Sequence, residues 1–476
     1  MSKMKNDSGT FLKNIFYAFA AQITSLMMSI LMSLIVPKLL GTTDFAYWQL
    51  YLFYISYVGF FHFGLNDGVY LKLGGKEYED LDFSVLHSQM ICLLFSQIVI
   101  AFICGIGSVS FIEGRRQFVW IAVGLYLVMF NLAGYFGFVF QAVNNTKTYS
   151  LSTIIDKLGF LLLLGGLLIG GVKSFQPFII LHLSSKAVST FYILIKGRRI
   201  LTARCCDRVV CARELCSNIR IGIKLTIANI ASLLILGSGR MVIDYVWGIE
   251  TFGKLSFSLS LTNFFLLFVS QVSMVLFPAL RKVNNTEQKK VYYLTRNVLG
   301  LFLPIILLGY YPVKLLLGLW LPQYNDSLIY LGLLLPLCTF DSKMQLLCNT
   351  YFKVLREEKK LLEINILAML LSIILALMGG FIIKDITFIA ISMVVAIAFR
   401  SMIAELYLAR VMGSDVRKNL FLESLLVIAF MILTWCCDAW IALISYAVLY
   451  ILFICLNKQE LFSVCDFIKK RLKKQK

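Results

Sequence analysis

Histidine is nearly missing from this chain. His62, His87 and His182 are the three it has, and they lie far apart in sequence. That scarcity leaves no His-Asp-Ser grouping on an aqueous loop and no carboxylate pair in a soluble pocket. There is no Walker loop, so hydrolysis of ATP by this chain is not expected. Twelve cysteines include the group Cys205, Cys206, Cys211 and Cys216, but none stand in C-x-x-C spacing. Reduced, inert thiols are therefore expected, with no metal and no cofactor. Long exterior loops are also lacking: the longest, around 110–116, has under ten residues. No domain has room to fold outside the membrane, which argues against a membrane enzyme holding its catalytic residues on an aqueous loop.

What the chain does have is apolar length. Hydrophobic residues make up 59% of it and the mean hydropathy is +0.82, beyond the ~45–50% apolar content of soluble domains. Near-continuous apolar segments occupy 15–36, 45–65, 85–109, 117–141, 150–172, 175–195, 219–247, 253–277, 292–317, 326–348, 361–383, 386–409, 419–435 and 439–456. Each is long enough to cross a hydrocarbon layer of ~30 Å as a helix. The pattern predicts an all-α integral membrane protein with about fourteen transmembrane helices.

Charge orients it. Lysine and arginine number 45 against 26 acids, a formal net charge of +19. With residues near a span's end counted to the adjoining loop, thirty-four of the 45 fall in even-numbered loops and the two tails, seven in odd-numbered loops and four deeper inside spans. Basic loops stay in the cytoplasm, so both termini are expected there. In a soluble chain such a charge would suggest nucleic acid. Here it reads as anchoring to anionic membrane lipid, at ~1 kcal/mol per basic residue near the surface.

The halves repeat. Gly41-x-x-x-Phe45-Ala46 is matched by Gly248-x-x-x-Phe252-Gly253, an offset of 207 residues that equals six spans. Six is even, so both repeats insert the same way up, and two parallel six-helix lobes with a cavity between them are expected. The domain reading is a lobe at 1–195, a cytoplasmic amphipathic linker at 196–218, a second lobe at 219–411, two additional helices at 412–456 and a basic tail at 457–476.

Lys186, Arg240, Lys343 and Arg400 lie inside spans, and Lys157 lies just inside the start of one. A charge at mid-membrane costs ~2.5–3.5 kcal/mol on insertion scales, so such residues usually face a cavity. These five are the candidate substrate contacts. The structural alternative is ion pairing: Asp156 beside Lys157, Asp244 four residues after Arg240, Asp341 near Lys343, and Glu405 five after Arg400. Lys186 has no acid within a turn of its own helix and needs another helix's acid, water or an anionic ligand. His182, one turn before Lys186 on the same face, reads as a hydrogen-bonded core residue or a proton relay. Asp67, with His62 and Asn66, ends the second span; an interfacial helix end and a gate both fit it. Asp244, Glu405, Asp67 and His182 are the candidate coupling or gating residues. Gly124, Gly134, Gly137, Gly165 and Gly166 read as close helix packing.

The runs Leu39-Leu40-Gly41, Phe45-Ala46-Tyr47-Trp48 and Phe63-Gly64-Leu65-Asn66-Asp67-Gly68-Val69 resemble those of bacterial polysaccharide-biosynthesis flippases. These are the O-antigen or capsule repeat-unit translocases of the multidrug/oligosaccharidyl-lipid/polysaccharide exporter superfamily. Phe252-Gly253-Lys254-Leu255-Ser256 and Val275-Leu276-Phe277-Pro278-Ala279-Leu280 resemble the matching second-half segment. The resemblance implies two MATE-like lobes around a cationic cavity and alternating access. It implies a polyprenyl-pyrophosphate-linked oligosaccharide as cargo, moved from the cytoplasmic to the exterior leaflet of a bacterial inner membrane. It also implies coupling to an ion gradient, with a polysaccharide polymerase and a chain-length regulator as partners. The other readings are an ion-coupled multidrug exporter, which would want unpaired acids in its cavity, and a flippase for the peptidoglycan precursor.

Overall fold

The computed structural model describes residue 20 and residues 23–112, 114–281 and 285–463, without the side chains of 111, 168, 265 and 267–287. Helix is the sole regular structure among the described residues. Among the described residues, ten helices are long and apolar enough to cross a membrane, or eleven if one bent pair counts as a span. The chain divides into two compact units at Leu233/Leu234.

In the first unit α1 covers Ile23–Leu39, and residues 15–19, 21 and 22 of the expected first segment lie outside the described residues. Then follow α2 (Thr42–Ile55), a 3₁₀ turn (Val58–His62), α3 (Leu65–Leu73), α4 (Phe83–Phe111), α5 (Arg115–Ala142), α6 (Thr146–Ile169) and α7 (Phe175–Lys196). Asp82 starts α4 by accepting the N–H groups of Ser84 and Val85 at 3.1 and 3.2 Å, which satisfies donors a helix end leaves open. Phe95, Phe102, Ile106 and Val109 stay exposed along α4, a stripe suited to acyl tails. The opposite surface of α4 packs on α5, and α6 packs on α7.

The expected span 45–65 is not continuous. It breaks after α2, turns through the 3₁₀ segment and resumes as α3. Phe63 (φ 50°) and Gly64 (φ 87°) are both left-handed. Carbonyls freed by such a break need partners at membrane depth. Asn131 Nδ2 donates to the Val58 carbonyl at 2.9 Å, and Gln97 Nε2 donates to that of Phe61 at 2.8 Å.

The helix α8 runs Arg208–Arg281 and breaks at Gly248 (φ 83°, ψ −176°), a conformation open essentially to glycine alone. The expected spans 219–247 and 253–277 are the two sides of that break. Of the expected linker, Arg198–Leu201 is a short helix and residues from Arg208 already belong to α8. The repeat motif thus has a local meaning in each half. Gly41 precedes α2 as Gly248 precedes the second part of α8, and Phe45 and Phe252, four residues on, are fully buried.

The second unit continues with α9 (Asn285–Phe302), α10 (Tyr310–Trp320), α11 (Asn325–Leu334), α12 (Leu337–Lys343), α13 (Asn349–Val354), α14 (Glu358–Leu377), α15 (Ile386–Met412), α16 (Arg417–Cys436) and α17 (Ala439–Leu456). The expected straight span 326–348 is bent: Pro322–Leu334 meets Leu337–Val354 at 45°, with Pro336 at the corner. Proline lacks the N–H that would carry a helix through. Residues 464–476, most of the expected basic tail, lie outside the described residues.

Candidate functional site

Helices α6 and α7 meet through small residues. Ser189 Oγ donates to the Ser152 carbonyl at 2.7 Å, and Ser185 Oγ to that of Asp156 at 2.6 Å. A Cβ on Gly159 would lie 2.7 Å from Ser185 Oγ. This tight seam sets Asp156 of α6 beside Lys186 of α7, with Nζ 3.6 Å from Oδ2. Lys157 Nζ lies 3.8 Å from the same oxygen. Two cations therefore share one buried carboxylate, and one positive charge is in excess. The acid that Lys186 lacks on its own helix comes from the neighbouring one. Its ammonium also stands over the rings of Phe130 and Tyr126, at 5.3 and 5.8 Å from their centroids, a favourable placement for a cation.

Lys186 and Asp156 face a cavity of about 250 Å³ inside the first unit, whose wall includes His62, Asn66, Asp67 and Thr226. Gly64 N–H donates to His62 Nδ1 at 3.0 Å, which leaves the proton on Nε2, 3.9 Å from Asp67 Oδ2. Thr226 Oγ1 donates to that oxygen at 2.7 Å. The wall is closed by a very near approach of backbones. A Cβ on Gly68 would lie 1.9 Å from the Asn218 carbonyl oxygen, and one on Gly222 would lie 2.0 Å from that of Gly64. The run Phe63–Gly68 is thus a break, a glycine seam against α8 and two polar side chains at the cavity.

His182 is a buried, hydrogen-bonded residue of the first unit. It is 2% exposed, Tyr51 hydroxyl bonds its Nδ1 at 2.9 Å, and it stacks on Tyr126 with Trp48 and Phe160 edge-on. It does not line the cavity.

The remaining candidates belong to the second unit. Arg240 directs Nε and Nη2 to Ser256 Oγ at 3.2 and 2.9 Å and stacks its guanidinium 5.0 Å from the Phe252 ring centroid. Asp244 lies half-buried one turn along. The pairings read from sequence spacing for Lys343 and Arg400 are exchanged. Arg400 pairs with Asp341, while Lys343 joins Glu405 at 3.1 Å and also bonds Glu423. Arg296 completes the group, 2.7 Å from Glu405 and 3.0 Å from Glu423. Two cations and two carboxylates, all at most 5% exposed, balance each other, and the void that Lys343 and Glu423 border is about 10 Å³, scarcely a water's room. Helical spacing misled here because partners come from four helices, and Arg296 and Glu423 sit near span ends, where loop charges are usual.

The cysteine group gives no centre either. No set of three or more histidine, cysteine or acidic side chains among the described residues could hold a metal ion. Gly137 packs on the Tyr149 ring and Gly134 approaches Asn66, but Gly165 and Gly166 have nothing within contact distance. The packing role read for those last two is therefore corrected.

The fold is that of solved membrane transporters. The structure of the lipid II flippase MurJ in an inward closed conformation matches over 95% of this chain and 100% of that one, at 13% identity and a TM-score of 0.66. An inward-facing multidrug resistance MATE family transporter of the MOP superfamily matches over 83% and 94%, at 10% identity and 0.61. A MOP superfamily transporter from Pyrococcus furiosus, described by the reverse polarity of its binding pocket, matches over 84% and 95%, at 12% identity and 0.53. Comparison with curated protein sequences gives no match. Residues 11–284, more than half the chain, match the family model of polysaccharide biosynthesis proteins, and the chain belongs to that family.

Proposed function

We propose that this protein is a flippase for a polyprenyl-pyrophosphate-linked oligosaccharide repeat unit of O-antigen or capsule type. It moves this cargo from the cytoplasmic to the exterior leaflet of a bacterial inner membrane by alternating access, coupled to an ion gradient, with both termini cytoplasmic. The observation that carries this reading is Lys186: an intramembrane ammonium at a polar cavity, sharing one carboxylate with a second lysine. An incoming phosphate oxygen can replace Asp156 as its partner without leaving either charge bare. Charges that must exchange partners are better suited to a passing anion than a closed neutral cluster is. About 250 Å³, roughly eight water volumes, suits a diphosphate rather than a whole oligosaccharide. In this scheme Lys186 receives the pyrophosphate while Lys157, outside the cavity lining, keeps Asp156; Asp67 with His62 gates the cavity, and Arg240 offers a further contact. Lys343, Arg400 and Glu405 hold the second unit together.

The family description supports a surface polysaccharide. The MurJ fold supports a second reading, a flippase for the peptidoglycan precursor. A multidrug exporter is less well served, since both cavity carboxylates already have cationic or hydroxyl partners. Depleting the protein in its host separates these. The proposal expects loss of surface polysaccharide and accumulation of the lipid-linked repeat unit with its sugars facing the cytoplasm. Accumulation of peptidoglycan precursor, or drug sensitivity with intact polysaccharide, would overturn it.

A further inference from the structure

A further hollow lies in the second unit, and none of the charges considered so far lines it. It is a groove of about 420 Å³ between α15 and α16. Met402 and Leu406 form one side, and Leu420, Phe421, Ser424, Leu425 and Ile428 form the other. Ala409, Val416 and Leu420 pack behind it as a small core of their own. Both helices are long and apolar enough to be membrane spans, and Phe421, Leu425 and Ile428 are exposed, so the groove opens toward lipid.

One end of it is cationic. Arg417 lines the groove and is exposed, with Lys418 beside it. Arg410 follows Met402 and Leu406 at four-residue steps, on the same helix face, and is exposed too. Asp415 offsets part of this charge and accepts the Arg417 backbone N–H at 3.1 Å, leaving three cations to one acid. The groove therefore has an apolar barrel and a positive mouth. From Arg417 to Ile428 the helix rises about 16 Å at ~1.5 Å per residue. Half of a ~30 Å hydrocarbon core is about 15 Å. The groove is one leaflet deep.

We propose that this groove is a binding site for an anionic phospholipid, its phosphate held by Arg417 and Lys418 and one acyl chain lying between α15 and α16. Depth selects this occupant: a phospholipid chain ends at the midplane as the groove does, whereas a polyprenyl tail would run well past it. The site does not depend on which cargo the protein moves.

The test uses the full chain, taken from mixed vesicles of equal phosphatidylglycerol and phosphatidylcholine and examined by native mass spectrometry for retained lipid. The wild type is expected to keep phosphatidylglycerol in excess. Each basic residue near a membrane surface contributes about fivefold, so Arg417→Ala with Lys418→Ala should largely abolish that excess. Ser424→Phe, which fills the groove and leaves the charges, should lower retention of either lipid. Unchanged thermal unfolding in these variants keeps the reading separate from misfolding. A phosphatidylglycerol preference unaltered in the Arg417/Lys418 double variant, or lipid retention unaltered by Ser424→Phe, would overturn the proposal. So would retention of added polyprenyl phosphate in its place.

Discussion

Lys186 Nζ stands 3.6 Å from Asp156 Oδ2, and Lys157 shares that oxygen from the next residue along α6. The arrangement is asymmetric. Removing Lys186 leaves Asp156 with a cation, whereas removing the carboxylate leaves two cations without their acid. A buried pair broken on one side loses about 3–5 kcal/mol. Asp156→Asn is thus expected to lower the unfolding temperature in detergent clearly more than Lys186→Ala does. Equal losses in the two variants would show that the shared carboxylate is not the centre of the group.

The glycine seam makes a second, purely steric prediction. Gly68→Ala would put a methyl 1.9 Å from the Asn218 carbonyl oxygen, a backbone atom that cannot step aside as a side chain can. Overpacking of this kind costs about 1–3 kcal/mol or more. Gly68→Ala and Gly222→Ala should reduce the yield of folded protein sharply. Gly165→Ala, with nothing within reach, should be tolerated. Size-exclusion profiles of the three variants decide the matter.

The four-charge group of the second unit predicts compensation. Lys343→Met or Glu423→Leu alone leaves a buried charge unmatched and should destabilise by about 3–5 kcal/mol. The double variant keeps Arg296 with Glu405, and should recover about 0.5–3 kcal/mol relative to the sum of the single losses. Chemical unfolding of the set measures this coupling. Additive losses would mean that the two side chains do not act on each other.

At the start of α4 the prediction concerns pH. Hydrogen bonds from the Ser84 side chain and from backbone amides hold the Asp82 carboxyl below its ordinary value. The lowered native value means its stabilisation is complete above the ordinary carboxylate range, near pH 4. It is lost as pH falls through the native value. Amide protection factors in the first turn of α4, taken against the intrinsic rate at each pH, should fall on acidification. Asp82→Asn, which still caps, should remove the pH dependence at little cost, while Asp82→Ala should cost about 1 kcal/mol.

Sequence showed the helical membrane class because apolar length is a one-dimensional property. It also showed that Lys186 needed a partner from beyond its own helix. The acid itself was beyond its reach, since a seam of Ser152, Ser185 and Ser189 looks like any other small-residue stretch. The break after α2 was hidden by apolar Val58, Phe60 and Phe61. Its signal was Gln97 and Asn131, two amides deep in apolar segments that donate to its carbonyls. Spacing within one helix gave wrong partners for Lys343 and Arg400. At a membrane helix bundle's centre the nearest acid usually belongs to a different helix.

The account rests on Lys186 meeting a phosphate. Its most direct test is purified protein in liposomes carrying a fluorescent polyprenyl-pyrophosphate oligosaccharide, with transbilayer movement read by quenching from one side. Wild-type protein should move the lipid, Lys186→Arg should retain much of the rate, and Lys186→Ala, equally incorporated, should lose at least tenfold. Movement by Lys186→Ala at the wild-type rate would contradict the account.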